Sequence, residues 1–229
     1  MHNRRTQRLL LYGIRKGSRL NGKDQPQTIV VLGGARSGKS TFAERLALSI
    51  AGDAPVLYVA TAEAGDADMA ERIARHRAVR PAHWRTLEVP RHVAVPIRTT
   101  LTESNCPVVL LDCLTLLATN WLLVAAPEGD AHAVHAMEDA LHADVDALFT
   151  ATAQAGATAI LVSNEVGAGI VPAYELGRVY RDVLGRLNQA VARRADSVYA
   201  MFAGIPVDVK ALARTTGLDP VLWQNDSGQ

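Results

Sequence analysis

A glycine-rich segment, Gly33–Ser40, follows the apolar run Thr28–Leu32 and precedes a helix-forming stretch. The short β-branched run is typical of a buried parallel strand. The segment itself matches the pattern Gly-x4-Gly-Lys-Ser, in which backbone N–H groups and a helix N-terminus converge on phosphate oxygens. The residues that we therefore predict to contact a nucleoside triphosphate are Gly33, Gly34, Ala35, Arg36, Ser37, Gly38, Lys39 and Ser40.

Apolar runs alternate with helical patterns along the rest of the chain. The predicted strands are residues 28–32, 56–60, 84–89, 108–112, 159–164 and 197–202. The predicted helices are residues 40–50, 66–79, 95–101, 114–125, 131–155, 175–194 and 207–213. Such alternation predicts an α/β fold of the RecA-like P-loop NTPase type, with a mainly parallel sheet and helices on both faces.

Charge divides the chain into two parts. Residues 1–26 carry seven Lys and Arg residues against Asp24, whereas the remaining residues have a net charge of −5. We interpret residues 1–26 as a basic, flexible extension, because a solvated tail explains this composition more simply than a nucleic-acid or membrane contact. Residues 27–229 are then expected to form a single domain of ordinary size.

Location and membrane association follow from composition. The sequence contains no apolar run near the ~20 residues that span a bilayer. The two cysteines, Cys106 and Cys113, do not form a disulfide framework or a metal-ligand pattern. These observations favour a cytoplasmic enzyme that does not span the membrane. Because we interpret residues 1–26 as a solvated tail, we also expect no nucleic-acid partner.

Asp112 ends the apolar strand 108–112 and is the natural partner of the phosphate loop. A carboxylate at this position holds Mg²⁺ in P-loop enzymes, together with the hydroxyl of the loop Ser or Thr. We therefore predict a magnesium site formed by Ser40 and Asp112. Lys39 is expected to contact the β- and γ-phosphates and to act in catalysis.

His76 lies among four arginines in the segment 72–80. Clustered guanidinium groups attract phosphate and hold a nearby imidazole neutral, and a neutral imidazole is a competent nucleophile towards phosphorus. The pattern alone is more typical of a solvated basic helix face than of a nucleophilic site. The residues by themselves leave both interpretations open.

The order of motifs closely resembles the bifunctional adenosylcobinamide kinase/adenosylcobinamide-phosphate guanylyltransferase family over roughly residues 28–210. Besides the phosphate loop, the segments that carry the resemblance are Tyr58–Ala62, Met69–Arg77, Trp84–Glu88, Leu110–Thr115, Ser163–Pro172 and Arg181–Gln189. The stretch Asn164–Pro172 is the most specific of these.

The resemblance implies two reactions at one site. A nucleoside triphosphate, ATP or GTP, phosphorylates adenosylcobinamide, and GTP then guanylylates a histidine at the position of His76. GMP passes from that histidine to adenosylcobinamide phosphate. Further nucleotide contacts implied by the family are Ala60, Thr61, Ala62, Arg77, Ala78, Val79, Arg80, Glu88 and Asp112. The family also implies a homotrimer.

Two rival interpretations are a single-activity P-loop small-molecule kinase and a RecA-like nucleotide-dependent switch or ATPase. The first predicts no covalent GMP adduct. The second predicts hydrolysis stimulated by a macromolecule, with no response to a corrinoid.

Overall fold

The computed structural model describes residues 26–63, 71, 74, 77–78, 80–126 and 130–217. The strands are β1 Thr28–Gly33, β2 Val56–Ala60, β3 Arg85–Glu88, β4 Val108–Asp112, β5 Thr158–Asn164, β6 Ser197–Phe202 and β7 Ile205–Asp208. The helices are α1 Lys39–Ala51, α2 Ala94–Glu103, α3 Leu114–Ala125, α4 Ala131–Gln154, α5 Glu175–Arg194 and α6 Val209–Thr215.

These strands form one sheet in the order β3-β2-β4-β5-β1-β6-β7. All neighbouring pairs are parallel except β6 and β7, which form an antiparallel hairpin at one edge. The register pairs Gly33 of β1 with Asn164 of β5, and Ala60 of β2 with Asp112 of β4. The carboxyl ends of the parallel strands therefore meet at one edge, where open α/β sheets bind their ligands.

Both faces of the sheet are covered, because successive side chains of a strand point to opposite faces. Ile29 and Val31 of β1 belong to the core cluster that includes Ala43, Leu46 and Ala47 of α1. Val30 belongs to the opposite cluster, to which α2, α3, α4 and α5 contribute. The predicted α/β P-loop fold with helices on both faces is confirmed.

The 24-residue helix α4 fixes two of its neighbours. Its Asp144 accepts hydrogen bonds from the backbone N–H groups of Val93 and Ala94, at 2.9 and 3.1 Å, and so caps the start of α2. Its buried Glu138 accepts two hydrogen bonds from Arg186 of α5, at 2.8 and 3.0 Å. Both contacts place a carboxylate on a positive partner at a helix–helix junction.

One sequence expectation is wrong at the C-terminal end. The predicted helix 207–213 begins later, at Val209, because residues 205–208 form strand β7. Ala203 and Gly204 both have positive φ, 50° and 85°, which is the geometry of a tight hairpin turn. Asp208 then caps α6 by accepting a hydrogen bond from Ala211 N at 2.9 Å.

The expected extension 1–26 lies outside the described residues, apart from its last residue, and the division into extension and domain stays a prediction. The same holds for most of the predicted helix 66–79. Of that segment the structure describes Glu71, Ala74, Arg77 and Ala78, all with helical backbone.

Candidate nucleotide-binding and phosphoryl-transfer site

The phosphate loop connects β1 to α1 as the sequence predicts. Arg36 and Gly38 have positive φ, 58° and 90°, which turns the backbone sharply before the helix starts at Lys39. The Lys39 ammonium folds back over the loop and donates to the Gly34 carbonyl at 3.1 Å. This lysine position suits contact with phosphate groups held by the loop's N–H groups.

The loop is supported from the β6–β7 hairpin. Gly204 N donates to the Ser37 carbonyl at 3.0 Å. A Cβ on Gly33 would lie 2.5 Å from Ser37 Oγ and 2.9 Å from Met201 Cβ, so only glycine allows this close packing. The loop is therefore held in shape by a part of the chain that follows it by about 160 residues in sequence.

Asp112 lies at the same edge of the sheet and is oriented by Tyr58. The Tyr58 hydroxyl donates to Asp112 Oδ2 at 2.9 Å from a side chain that is only 2% exposed. Burial, followed by the charge of Asp112, raises the pKa of Tyr58 well above its ordinary value. The hydroxyl is thus a permanent donor to this carboxylate.

Glu44 and Arg80 surround this pair. Glu44 lies one helical turn after Ser40, on the same face of α1. Burial raises the pKa of Glu44, the negative charge of Asp112 adds to the rise, and Arg80 opposes it. The Arg80 guanidinium lies 3.4 Å from the centre of the Tyr58 ring, in a cation–π contact.

Several buried polar atoms around this site have no hydrogen-bond partner among the residues that the structure describes. They are Ser37 Oγ, Glu44 Oε1, Arg80 Nε and Trp84 Nε1. Unpaired buried polar atoms cost free energy, so in native proteins they are usually satisfied by a water molecule, an ion or a bound ligand. The hydroxyl of Ser40 and the carboxylate of Asp112 are also the oxygen donors that Mg²⁺ prefers, so these residues fit a magnesium–nucleotide complex.

The segment Ala60–Ala62 reaches this edge, but the Thr61 side chain binds the backbone that follows β4. Its hydroxyl donates to the Cys113 carbonyl at 2.7 Å and accepts from Cys113 N at 2.8 Å. Asn120 further holds the Thr61 carbonyl at 2.8 Å. The β2 and β4 ends are thereby locked together beside Asp112, and the Thr61 hydroxyl is fully used within the fold.

The predicted arginine cluster is described in part. Arg77 and Glu88 form an ion pair at 3.3 Å between largely exposed side chains, and Ala78 is exposed. His76 and Val79 lie outside the described residues, and their roles stay predictions.

The residues of this site that sequence reasoning missed are Tyr58, Glu44 and Trp84. For Tyr58 the available signal was a tyrosine hydroxyl within an otherwise apolar strand, since a buried hydroxyl needs a partner.

The family model for cobinamide kinase / cobinamide phosphate guanyltransferase matches residues 29–209. The chain belongs to this family. The enzyme is therefore a cobinamide kinase and cobinamide phosphate guanyltransferase, as the motif order indicated. This match disfavours both rival interpretations, the single-activity kinase and the RecA-like switch or ATPase. The described part of the chain contains no helix that is long and apolar enough to cross a bilayer.

Three curated relatives agree with this assignment, all of them called bifunctional adenosylcobalamin biosynthesis proteins. The Pseudomonas aeruginosa protein CobP is 45% identical over 79% of this chain and 96% of its own length. The Salmonella typhimurium protein CobU is 44% identical over 80% of this chain and 99% of its own length. The Escherichia coli CobU is 42% identical, with the same coverage.

Proposed function

We propose that a single nucleotide site, built on Gly33–Ser40, serves both reactions of this enzyme. In the first, the hydroxyl oxygen of adenosylcobinamide's aminopropanol arm forms a bond to the γ-phosphorus of ATP or GTP, and the bond to the β-phosphate breaks. The hydroxyl proton leaves to solvent. The products are adenosylcobinamide phosphate and ADP or GDP.

In the second reaction, a ring nitrogen of His76 forms a bond to the α-phosphorus of GTP, and pyrophosphate departs. An oxygen of adenosylcobinamide phosphate then takes the α-phosphorus, and the nitrogen–phosphorus bond breaks. His76 is restored and adenosylcobinamide-GDP is released. Splitting one transfer into two in this way is typical of nucleophilic catalysis by histidine.

The observation that carries this proposal is the convergence of Lys39, Asp112 and Arg80 at the carboxyl edge of the sheet. Lys39 and the loop N–H groups bind the phosphates that are transferred in one step and released in the other. Arg80 supplies positive charge to the phosphate oxygens as negative charge develops on them. Ser40 and Asp112 would hold Mg²⁺, which supplies further neutralising charge when it is bound.

The neighbourhood of His76 in the sequence supports its role. Arg77 and Arg80 follow it by one and four residues, and Arg80 lies against Tyr58 beside Asp112. Guanidinium groups close to an imidazole favour its neutral, nucleophilic form. We also propose Glu88 and the segments 60–62 and 77–79 as nucleotide neighbours, because Ala60 pairs with Asp112 at the same edge of the sheet and Glu88 forms an ion pair with Arg77.

Labelling with [α-³²P]GTP tests the covalent step. The wild-type enzyme is expected to give a protein-bound label that is lost in acid and stable in alkali, and His76→Ala is expected to give none. His83→Ala is the matched control, since His83 is an exposed histidine in the same region that should leave the label unchanged. A wild-type enzyme that phosphorylates adenosylcobinamide without forming the adduct would be a kinase alone.

We also propose that the enzyme acts in the cytoplasm as a homotrimer. Cys106 and Cys113 are both free and buried, which suits a reducing compartment. Sedimentation equilibrium of the purified enzyme tests the trimer, and a monomer mass at micromolar concentration would contradict it.

A further inference from the structure

The loop between β5 and α5, residues 165–174, presents apolar side chains to solvent. Ile170 is 97% exposed, Tyr174 is 69% exposed and Val171 is 61% exposed. Isolated exposed apolar residues are common, but three within five residues form a patch. Exposed apolar patches of this kind mark binding surfaces.

Hydrogen bonds from α5 hold the loop in one shape. Arg178 Nη1 donates to the carbonyls of residues 172 and 173, at 3.2 and 2.8 Å. Arg181 Nη2 donates to the Gly167 carbonyl at 2.7 Å. Gly167 N donates to Glu165 Oε1 at 2.6 Å. These hydrogen bonds fix the backbone of the loop, and the side chains of Ile170, Val171 and Tyr174 are exposed to solvent on it.

The packing of Gly177 adds to this rigidity. A Cβ at Gly177 would lie 2.5 Å from the Tyr174 ring and 2.9 Å from Pro172 Cβ, so the absence of a side chain lets both residues pack on the first turn of α5. A binding surface that is already ordered loses little entropy when its ligand arrives. The loop is thus built as a preorganised apolar surface.

The loop also adjoins the phosphate loop. Gly33 of β1 pairs with Asn164 of β5, and Glu165 N donates to the Gly33 carbonyl at 3.2 Å. The β5–α5 loop therefore leaves the sheet directly beside the place where phosphate is transferred. A bulky acceptor whose reactive hydroxyl reaches Lys39 must lay its remaining bulk on the surfaces around this point.

From these observations we propose that Ile170, Val171 and Tyr174 form the docking surface for the corrin ring of cobinamide. The corrin macrocycle is broad and carries methyl groups on its faces, so it matches aliphatic side chains and the flat ring of a tyrosine. The proposal rests on the proposed function, which places the acceptor's hydroxyl at the phosphate loop. It assigns the loop to the acceptor and not to the nucleotide.

The test is a double variant, Ile170→Ser with Val171→Ser. Its KM for adenosylcobinamide in the kinase reaction and its Kd for cobinamide in equilibrium dialysis are each expected to rise by about tenfold or more, because both aliphatic contacts are lost. Its KM for the nucleotide and its GMP adduct, which forms without a corrinoid, are expected to stay unchanged. If the KM for the nucleotide and the yield of GMP adduct were impaired as strongly as the two corrinoid measurements, the proposal would be overturned.

Val124→Ser is the matched control. Val124 is 60% exposed, like Val171, but it lies at the far end of α3, about 15 Å from the edge where that helix begins. This variant is expected to bind cobinamide as the wild type does. Gly177→Ala is a second test that keeps the apolar side chains and displaces their support, and it should also raise the KM for adenosylcobinamide.

An unchanged Kd for cobinamide in the double variant would overturn the proposal. If that unchanged Kd came with a smaller species in sedimentation, the loop would instead be a contact between copies of this chain. The dialysis measurement requires no phosphoryl or guanylyl transfer, so it separates the two proposals. A wild-type enzyme without a GMP adduct would remove the proposed covalent step and leave the docking surface standing.

Discussion

Replacing Tyr58 by phenylalanine would remove one hydroxyl and keep the ring. The hydroxyl donates to Asp112 Oδ2 at 2.9 Å, while the ring lies under Arg80 and stacks on Trp84 with centroids 6.3 Å apart. Because burial keeps the pKa of Tyr58 high, the hydroxyl stays protonated and donates at any working pH. Tyr58→Phe is therefore a clean deletion of one contact to the proposed magnesium ligand.

The expected magnitude follows from the kind of bond that is lost. A hydrogen bond to a charged group contributes about 1.5–3 kcal/mol, and each ~1.4 kcal/mol is a factor of ten. Asp112 is partly accessible, so water can replace the hydroxyl and the loss should fall at the lower end. Removing partners of metal ligands typically weakens metal binding by about 10–100-fold. We expect Tyr58→Phe to raise the Mg²⁺ concentration for half-maximal kinase activity by about tenfold.

The assay is a Mg²⁺ titration of the kinase reaction at saturating nucleotide, with Mg²⁺-free nucleotide binding measured by calorimetry. The variant should bind nucleotide without Mg²⁺ as the wild type does. Tyr199→Phe on β6 is the control, since β6 is three strands away from β4 and the Tyr199 ring packs edge-on against Phe42. A Mg²⁺ midpoint within about twofold of the wild type would refute the role assigned to the Tyr58–Asp112 contact.

Three further predictions concern stability and reactivity. Asp144→Ala removes the cap on Val93 and Ala94 and should lower stability by about 2 kcal/mol, or Tm by about 4–8 °C, without changing nucleotide Kd; an unchanged thermal melt would contradict it. Glu44→Gln should raise the Tm of the ligand-free protein near neutral pH but not below pH 4.5, the ordinary pKa of a glutamate. The pKa of Glu44 is raised in the folded state, so its charged form destabilises the fold as pH increases, and glutamine removes that charge. An equal rise in Tm at both pH values would contradict this direction of the pKa shift. Burial raises the pKa of the Cys113 thiol to about 11, so iodoacetamide should label it at mildly alkaline pH only after unfolding, as mass spectrometry can show; labelling of the native protein would be the contrary result.

The fold was largely predictable because parallel strands covered on both faces must be apolar throughout. β1, β2, β4 and β5 are such runs, and their positions agree with the prediction within about two residues. The hairpin of β6 and β7 was missed because Ala203 stands at a positive φ of 50° where Asn or Gly usually marks the turn. Without a recognised turn, the sequence predicts Val207 and Asp208 as part of the helix that follows.

The candidate site was predictable only where a motif and the strand beside it can both be recognised from neighbouring residues. The phosphate loop and Asp112 follow from local patterns, since each ends an apolar strand. The contribution of Tyr58 depends on β2 lying next to β4, and strand order is set by long-range packing that local residues do not encode. Glu44 is similar, because its carboxylate matters only once α1 has packed near Asp112.

The position of β1 in the sheet has a consequence for how the enzyme is made. β1 is the first strand in the part of the chain that the structure describes, yet its neighbours β5 and β6 begin at Thr158 and Ser197. Because the ribosome synthesises residues in order, the strands on both sides of β1 are made only after most of the polypeptide. A nascent chain that ends before Gly204 also lacks the backbone contact to Ser37. Nucleotide binding should therefore appear late in synthesis and report that the sheet is complete.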